Sequence, residues 1–252
     1  MIAKNGGWLD QYRLVLWDKN VFMILLIESS SEYPSVALVT DAGVLVHSEV
    51  GDSVQSHAEM LPLMVQQAVS LAGEQGISAV GFHEGPGSYT GLRIGVSLAK
   101  GICYALGVPL ISVSGFEAMG SEILRTQQTI ERVWVMMDAR RDEVYALRLD
   151  RESAGDEPFS YRVGVPMCAM ILPDPQRVCP DEKTCFVGNA NEKVSRLVPN
   201  EGSLFVNMSP RADQLAALVT RKFGLNDFAD LAYYEPFYLK DFVAGVSKKF
   251  GI

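Results

Sequence analysis

Short apolar runs separated by polar turns predict that the chain opens with a meander of strands. Residues 23–27 are continuously apolar, as in a buried strand. Two further β-type runs follow at residues 36–39 and 44–50, with a turn at residues 41–43 between them. Because turns this short join antiparallel neighbours, we expect three antiparallel strands.

The apolar period then changes to that of helices. Residues 56–72 carry helical spacing, with Ser56 as a candidate N-cap and Glu59 three positions on, the capping-box spacing. Proline is tolerated only near a first helical turn, so Pro62 places the predicted start between His57 and Leu61. Further along, the pattern predicts strands at residues 77–82 and 108–113, with helices at about residues 91–106 and 115–124.

A strand, a polar turn and a second strand recur near residue 133, which indicates two related half-domains. The predicted elements there are strands at residues 133–137, 143–149 and 184–187, a mostly irregular region at 165–183, and a helix at 212–223. We expect residues 1–22 to be an extension outside the fold. A first half then covers residues 23–124 and a second half residues 125–252, whose C-terminal segment is expected to pack back on the first.

Charge and cysteine content narrow the possible functions. The 252-residue chain has a net charge of −8, which disfavours autonomous binding to nucleic acid, because Lys and Arg supply much of that affinity. None of the four cysteines forms a C-x-x-C pair, so a zinc knuckle is not expected. The apolar run at residues 21–27 is too short to span a bilayer. Charged residues before it disfavour a secretory leader, so we expect a cytoplasmic protein without a membrane partner.

The glycine-rich stretch at residues 84–101 raises the question of a phosphate site. It lacks the Gly-Lys-Ser/Thr ending of a P-loop and the glycine spacing of a dinucleotide fingerprint. Pro86 between Gly85 and Gly87 indicates a tight strand-to-helix turn, with Ser88 or Thr90 as the helix cap. Two interpretations stay open: a turn kept for its geometry, or a contact for an anion or a partner at the helix start.

Small residues mark one face of the helix that follows. Gly91, Gly95 and Ala99 are four apart, and each helical glycine costs about 1 kcal/mol relative to alanine. This face packs closely either on the chain's own helix or sheet, or on another chain. Arg93 on the same helix is expected to be a solvated charge.

Glu28 ends the first strand. It is either a surface turn residue or a carboxylate that positions a metal or nucleotide. Among the histidines, His57 is expected to act as a cap or packing residue, whereas His47 and His83 have no partner at ligand spacing.

Together, several segments resemble the TsaB (YeaZ) family, a bacterial subunit needed to make threonylcarbamoyladenosine next to the tRNA anticodon. The resemblance covers Met23 to the C-terminus and is loosest over residues 153–183. It rests on MILLIESSS at 23–31, HAEMLP at 57–62, GPGSYTGLRIG at 85–95, MDARRDEVY at 137–145 and EPFYLKDFVA at 235–244.

The resemblance implies an α/β protein with the actin-like ATPase (ASKHA, ribonuclease H-like) fold and two related half-domains. It also implies a catalytic paralogue, TsaD, which carries ATP and a metal held by a His-x-x-x-His pair. Gly115 and Met119 occupy those two positions here, and Glu28 stands where the family has Asp. We therefore expect no cofactor and no metal on this chain itself.

The resemblance predicts a non-catalytic subunit that activates TsaD and uses its first two helices to bind it. A TsaE ATPase is a further expected partner, tRNA is reached indirectly through the complex, and a homodimer is expected when the chain is alone. The predicted partner interface comprises His57, Met60, Leu61, Met64, Gly91, Leu92, Gly95, Val96 and Ala99. Contacts to a nucleotide or shared interface are predicted for Glu28, Gly85, Gly87, Ser88, Thr90 and Arg93.

Two other functions stay open from sequence. One is an ATP-dependent carbamoyl or phosphoryl transferase acting by itself, and the remote one is a glycoprotease-like peptidase. The peptidase has little support, because neither a Ser/His/Asp order nor a His-Glu-x-x-His helix is visible.

Overall fold

The computed structural model describes residues 21–52, 57–139, 141–152, 160–199 and 202–239, which form two five-stranded sheets. The strand order of the first sheet is β3-β2-β1-β4-β5. The meander β1 to β3 is antiparallel, whereas β4 and β5 run parallel to β1. Its strands are β1 (Met23–Glu28), β2 (Ser35–Thr40), β3 (Leu45–Val50), β4 (Ile77–His83) and β5 (Leu110–Val113).

The second sheet repeats this topology strand for strand. Its order is β8-β7-β6-β9-β10, with an antiparallel meander β6 to β8 and with β9 and β10 parallel to β6. The duplication predicted from the two strand–turn–strand openings is therefore confirmed. Its strands are β6 (Arg132–Asp138), β7 (Glu143–Glu152), β8 (Ser160–Ile171), β9 (Thr184–Gly188) and β10 (Leu204–Asn207).

Helices cover both faces of the first sheet, because its central strands are apolar on both sides. The described helices are α1 (His57–Ala72), α2 (Tyr89–Leu106), α3 (Gly115–Thr126), α4 (Asn191–Leu197) and α5 (Ala216–Gly224). One face of β1, with Leu25 and Ile27, packs against α1 and α2. The other face, with Ile24 and Leu26, packs against α5 and the 3₁₀ turn Ala212–Leu215.

The helix α3 bridges the two sheets. Phe116 and Met119 pack against Val135 and Leu147 of the second sheet, while Ala118 joins the core below the first sheet. The short α4 lies on the opposite face of the second sheet, where Val194 packs beside Trp134.

Most predicted elements are confirmed within one to three residues. The helix α1 begins at His57, with Pro62 on its exposed side, whereas the predicted cap Ser56 and residues 1–20 of the predicted extension lie outside the described residues. The irregular region predicted from residue 165 was wrong as far as residue 171, which belongs to β8. Pro166 obscures this strand in the sequence, and it is tolerated because β8 is an edge strand.

Candidate functional site

The Gly-Pro-Gly turn joins β4 to α2 and is closed on both sides by the chain itself. Gly85 has φ +111°, precedes a cis peptide bond, and would place a Cβ atom 2.6 Å from the Phe237 carbonyl oxygen. On the other side, a Cβ atom on Gly87 would lie 2.4 Å from that of Ser30. Two backbone bonds hold these contacts: the Phe237 N–H donates to the Glu84 carbonyl at 2.7 Å, and the Ser88 N–H donates to the Ser30 carbonyl at 2.8 Å.

Of the side chains that follow this turn, one caps the helix and others are exposed. Ser88 caps α2, because its hydroxyl accepts from the Gly91 N–H at 3.2 Å, while Thr90 is exposed. The exposed Arg93 guanidinium lies 4.3 Å over the Tyr89 ring. A hydrogen bond to Tyr238 raises the pKa of Arg93. Arg93, expected as a solvated charge, is therefore held in place by two tyrosines.

A buried carboxylate and imidazole meet at the carboxyl edge of the first sheet. Glu28 and His83 are both fully buried, and His83 Nδ1 lies 3.1 Å from Glu28 Oε1. Glu28 Oε1 also accepts from the Ser30 backbone N–H at 2.6 Å and from the Ser30 hydroxyl. Glu28 is thus neither a surface turn residue nor open to an outside ligand, since its oxygens are bonded within the chain.

The sequence offers His83 no partner at metal-ligand spacing, but the structure gives it a hydrogen-bond partner in Glu28. The signal was available in the topology: β1 and β4 are adjacent and parallel, so their last residues, Glu28 and His83, meet at one edge. Gly115 makes room for this pair, because a Cβ atom there would lie 2.7 Å from both ring nitrogens of His83. The resemblance implies that TsaD has a metal-ligating histidine at this position. Here the glycine instead leaves room for the imidazole of His83 on β4.

This Ser–His–Glu cluster does not have the geometry of a serine nucleophile. The Ser30 hydroxyl and Glu28 Oε1 lie 3.0 and 3.1 Å from the same ring nitrogen, Nδ1 of His83. In serine hydrolases the serine and the acid use opposite nitrogens of the imidazole, so that one nitrogen takes the proton while the other is held. Nε2 of His83 is buried without a hydrogen-bond partner among the described residues.

Glu84, one residue further on, is the most perturbed carboxyl near the turn. Burial raises its pKa above the ordinary value of 4.5, and the nearby Lys222 ammonium and His83 partly oppose this rise. The Lys222 ammonium donates to the Ser112 carbonyl at 3.1 Å. The charged groups at this edge of the first sheet, Glu84 and Lys222, therefore interact with other groups of the same chain.

The small-residue face of α2 packs within the chain, against Ser29 directly after β1 and against Phe82 of β4. A Cβ atom on Gly91 would lie 2.0 Å from the Ser29 carbonyl oxygen, and one on Gly95 would lie 2.1 Å from the Ser29 hydroxyl and 3.0 Å from the Phe82 ring. The sequence left two interpretations of this face open, and the structure shows close packing within the chain.

The predicted partner interface stays a prediction, but burial within the chain limits which of its side chains are accessible. Seven of its members are buried: Leu61, Met64, Gly91, Leu92, Gly95, Val96 and Ala99. Met60 is half-buried against Gly51, and the His57 ring bonds to the Ser31 carbonyl at 2.8 Å. The outward residues of the same helices include Leu63, Leu71, Gly101, Tyr104 and Leu106.

A cavity of about 630 Å³ lies in the second half, at the carboxyl ends of β9 and β10. Asn189, Asn191, Asn207 and Phe205 are among its lining residues. Sequence reasoning missed it, because α4 and β10, which form two of its walls, are too short to show a period.

Within the described residues, His, Cys, Asp and Glu side chains form no group of three or more that could hold a metal ion. Nor does any described helix combine the length and the apolar character needed to cross a bilayer.

Comparison with known proteins gives consistent matches along the chain. Residues 51–157 match the family model "TsaD: tRNA N6-adenosine threonylcarbamoyltransferase". The chain is 28% identical to the tRNA threonylcarbamoyladenosine biosynthesis protein TsaB of Escherichia coli, over 88% of this chain and 96% of that protein. It is also 33% identical to the tRNA N6-adenosine threonylcarbamoyltransferase of Porphyromonas gingivalis, over 40% of this chain and 34% of that protein.

A solved structure agrees with these sequence matches. The crystal structure of a Pseudomonas aeruginosa protein described as similar to peptidase YeaZ superposes with a TM-score of 0.71 at 25% identity, covering 87% of this chain and all of that one. The duplicated sheets and this likeness establish the actin-like ATPase fold with two related half-domains.

Proposed function

Since the chain belongs to the TsaB (YeaZ) family, we propose that it serves in threonylcarbamoyladenosine biosynthesis on tRNA as a non-catalytic subunit that binds and activates TsaD. The name of the E. coli relative supports the pathway, because the match spans nearly all of that protein. The observation that carries the binding role is the outward face of α1 and α2, which exposes large apolar side chains and a glycine that no contact within the described chain requires.

Large apolar side chains point outward from both helices. Leu63 and Leu71 of α1 are 66% and 45% exposed, and Tyr104 of α2 is 85% exposed. Exposed apolar surface on a folded domain is typical of a protein interface, and tyrosine is enriched among interface residues that contribute most to binding.

Gly101 supports contact with a second backbone. It is exposed within α2, and no atom lies within 4 Å of the Cβ position there, so nothing in the described chain requires glycine. A glycine inside a helix costs about 1 kcal/mol relative to alanine. Close approach of a helix from another chain offsets this cost, as small residues do where helix backbones touch.

The buried carboxyl edge supports a non-catalytic role. Glu28 is engaged by Ser30 and His83, and the turn at Gly85 is closed by the Phe237 carbonyl. In this proposal ATP and the metal reside on TsaD, the TsaE ATPase joins the complex, and tRNA is held by the complex in the cytoplasm. The same apolar face pairs two copies of this chain when TsaD is absent.

The experiment mixes the purified chain with TsaD from the same bacterium and measures the complex by gel filtration and titration calorimetry. Gly101→Gln places a side chain in the proposed contact and is expected to weaken binding at least about tenfold, or 1.4 kcal/mol. Gly224→Gln is the matched control, because Gly224 is another exposed glycine with no atom near its Cβ position, at the end of α5.

Wild-type affinity in the Gly101→Gln variant, or no complex with the wild-type chain, would overturn the proposal. Metal-dependent ATP turnover by the isolated chain would instead support an enzyme acting by itself.

A further inference from the structure

The internal duplication gives the chain two equivalent strand-to-helix turns, and the second borders an open cavity. The turn from β4 to α2 and the turn from β9 to α4 occupy the same place in the two repeated sheets. The first is filled by Phe237 and Ser30. The second borders the cavity of about 630 Å³, within the usual size range of small-molecule sites. In open α/β sheets ligands bind outside the carboxyl ends of the strands, where this cavity lies.

Three asparagine amides line this cavity beside the hydroxyls of Ser195 and Ser209. The Asn191 amide donates to Asn207 Oδ1 at 3.0 Å, and the Asp138 backbone N–H donates to Asn189 Oδ1 at 2.7 Å. Each of these two oxygens accepts one hydrogen bond and keeps a second lone pair, so Asn189 and Asn207 present both an acceptor and an NH₂ donor. Asn191 is 6% exposed, and its Oδ1 has no hydrogen-bond partner among the described residues. A buried acceptor of this kind is costly unless a donor reaches it.

The other lining residues determine the shape and the charge of the cavity. The Phe205 ring is held by stacking on Phe186, with centroids 5.1 Å apart and planes 20° apart, so it offers a fixed apolar surface for a flat group. Met208 adds a polarizable thioether. Among the described lining residues Glu192 alone is charged, and its carboxylate disfavours anionic ligands.

We propose that this cavity binds an uncharged nucleobase or nucleoside, recognised by the asparagine edges and by the flat face of Phe205. An amide side chain pairs with the edge of a base because each offers one donor and one acceptor side by side. Base stacking on an aromatic side chain adds affinity that depends little on which base is bound. Since none of the described residues that line the cavity is Lys or Arg, a phosphate on the ligand weakens binding.

The test uses the full chain alone, so it is independent of TsaD. Adenosine, guanosine, uridine, cytidine and AMP are titrated by saturation-transfer NMR and calorimetry. We expect saturable binding of at least one nucleoside, and weaker binding of AMP than of adenosine. Asn207→Ala removes an exposed donor, and Phe205→Leu removes the flat face while keeping apolar volume. Each is expected to weaken binding at least about tenfold while the chain stays folded at the assay temperature, which circular dichroism checks. Gln128→Ala, an exposed amide beyond α3, is the control.

Three results would overturn the inference: no saturable binding of any nucleoside, AMP binding as tightly as adenosine, or equal binding by the Phe205→Leu variant. If a variant fails to fold, the AMP comparison on the wild-type chain still decides between an uncharged and an anionic ligand.

Discussion

Replacing glycine by alanine at two positions of α2 should change stability in opposite directions. At Gly91 the new methyl group would lie 2.0 Å from the Ser29 carbonyl oxygen, so helix and strand must separate by about 1 Å to restore contact distance. Overpacking a close-packed site costs about 1–3 kcal/mol, and we expect about 3 because the obstacle is backbone. At Gly101 the methyl group meets nothing, and the helix gains about 1 kcal/mol.

The assay is thermal unfolding by calorimetry, with guanidinium unfolding as a second measure. For a chain of this length each kcal/mol shifts the melting temperature by about 2–4 °C, so Gly91→Ala should lower it by about 6–12 °C and Gly101→Ala should raise it by about 2–4 °C. Both substitutions replace glycine by alanine in α2, so each variant serves as the control for the other. A Gly91→Ala variant as stable as wild type, or a destabilised Gly101→Ala variant, would refute the packing described for α2.

Three further predictions concern buried groups. Burial raises the pKa of Glu84 above its ordinary 4.5, so the ionised form costs stability as pH rises. Glu84→Gln should therefore raise the melting temperature at pH 7, with the gain disappearing towards pH 4. Glu28→Ala would leave the buried Ser30 N–H and His83 Nδ1 without their carboxylate partner, and each unsatisfied buried group costs about 1–3 kcal/mol, so this variant should lower the guanidinium midpoint far more than Glu84→Gln changes it. Because burial raises the pKa of Cys103 and Cys185 to about 12, iodoacetamide at pH 8 should label exposed Cys179 first and those two only on unfolding, as mass spectrometry would show.

The fold could be predicted wherever a period runs long enough to be visible. The fully apolar run of β1 and the helical spacing of α1 carry that signal, and the repeat of the meander near residue 133 indicated the duplication. Elements shorter than two helical turns or five strand residues, such as α4 and β10, have no measurable period. They are held by tertiary packing, which the local sequence does not show.

The site was harder to predict, because its chemistry depends on which strands become neighbours. Glu28 and His83 are 55 positions apart and meet only through the parallel pairing of β1 and β4. The small face of α2 was visible in sequence, but the pattern does not say what approaches it. Burial assigns Gly91 and Gly95 to the chain's own core and leaves Gly101 outside.

The central claim is that this chain serves TsaD through the outward face of α1 and α2. Its most direct test is reconstituted threonylcarbamoyladenosine formation on tRNA with TsaD, TsaE and either the wild-type chain, Gly101→Gln, Gly224→Gln or no chain. The account predicts full modification with wild type and Gly224→Gln, and little with Gly101→Gln or without the chain. Modification that proceeds equally without this chain, or at the wild-type rate with a Gly101→Gln variant that no longer binds TsaD, would contradict it.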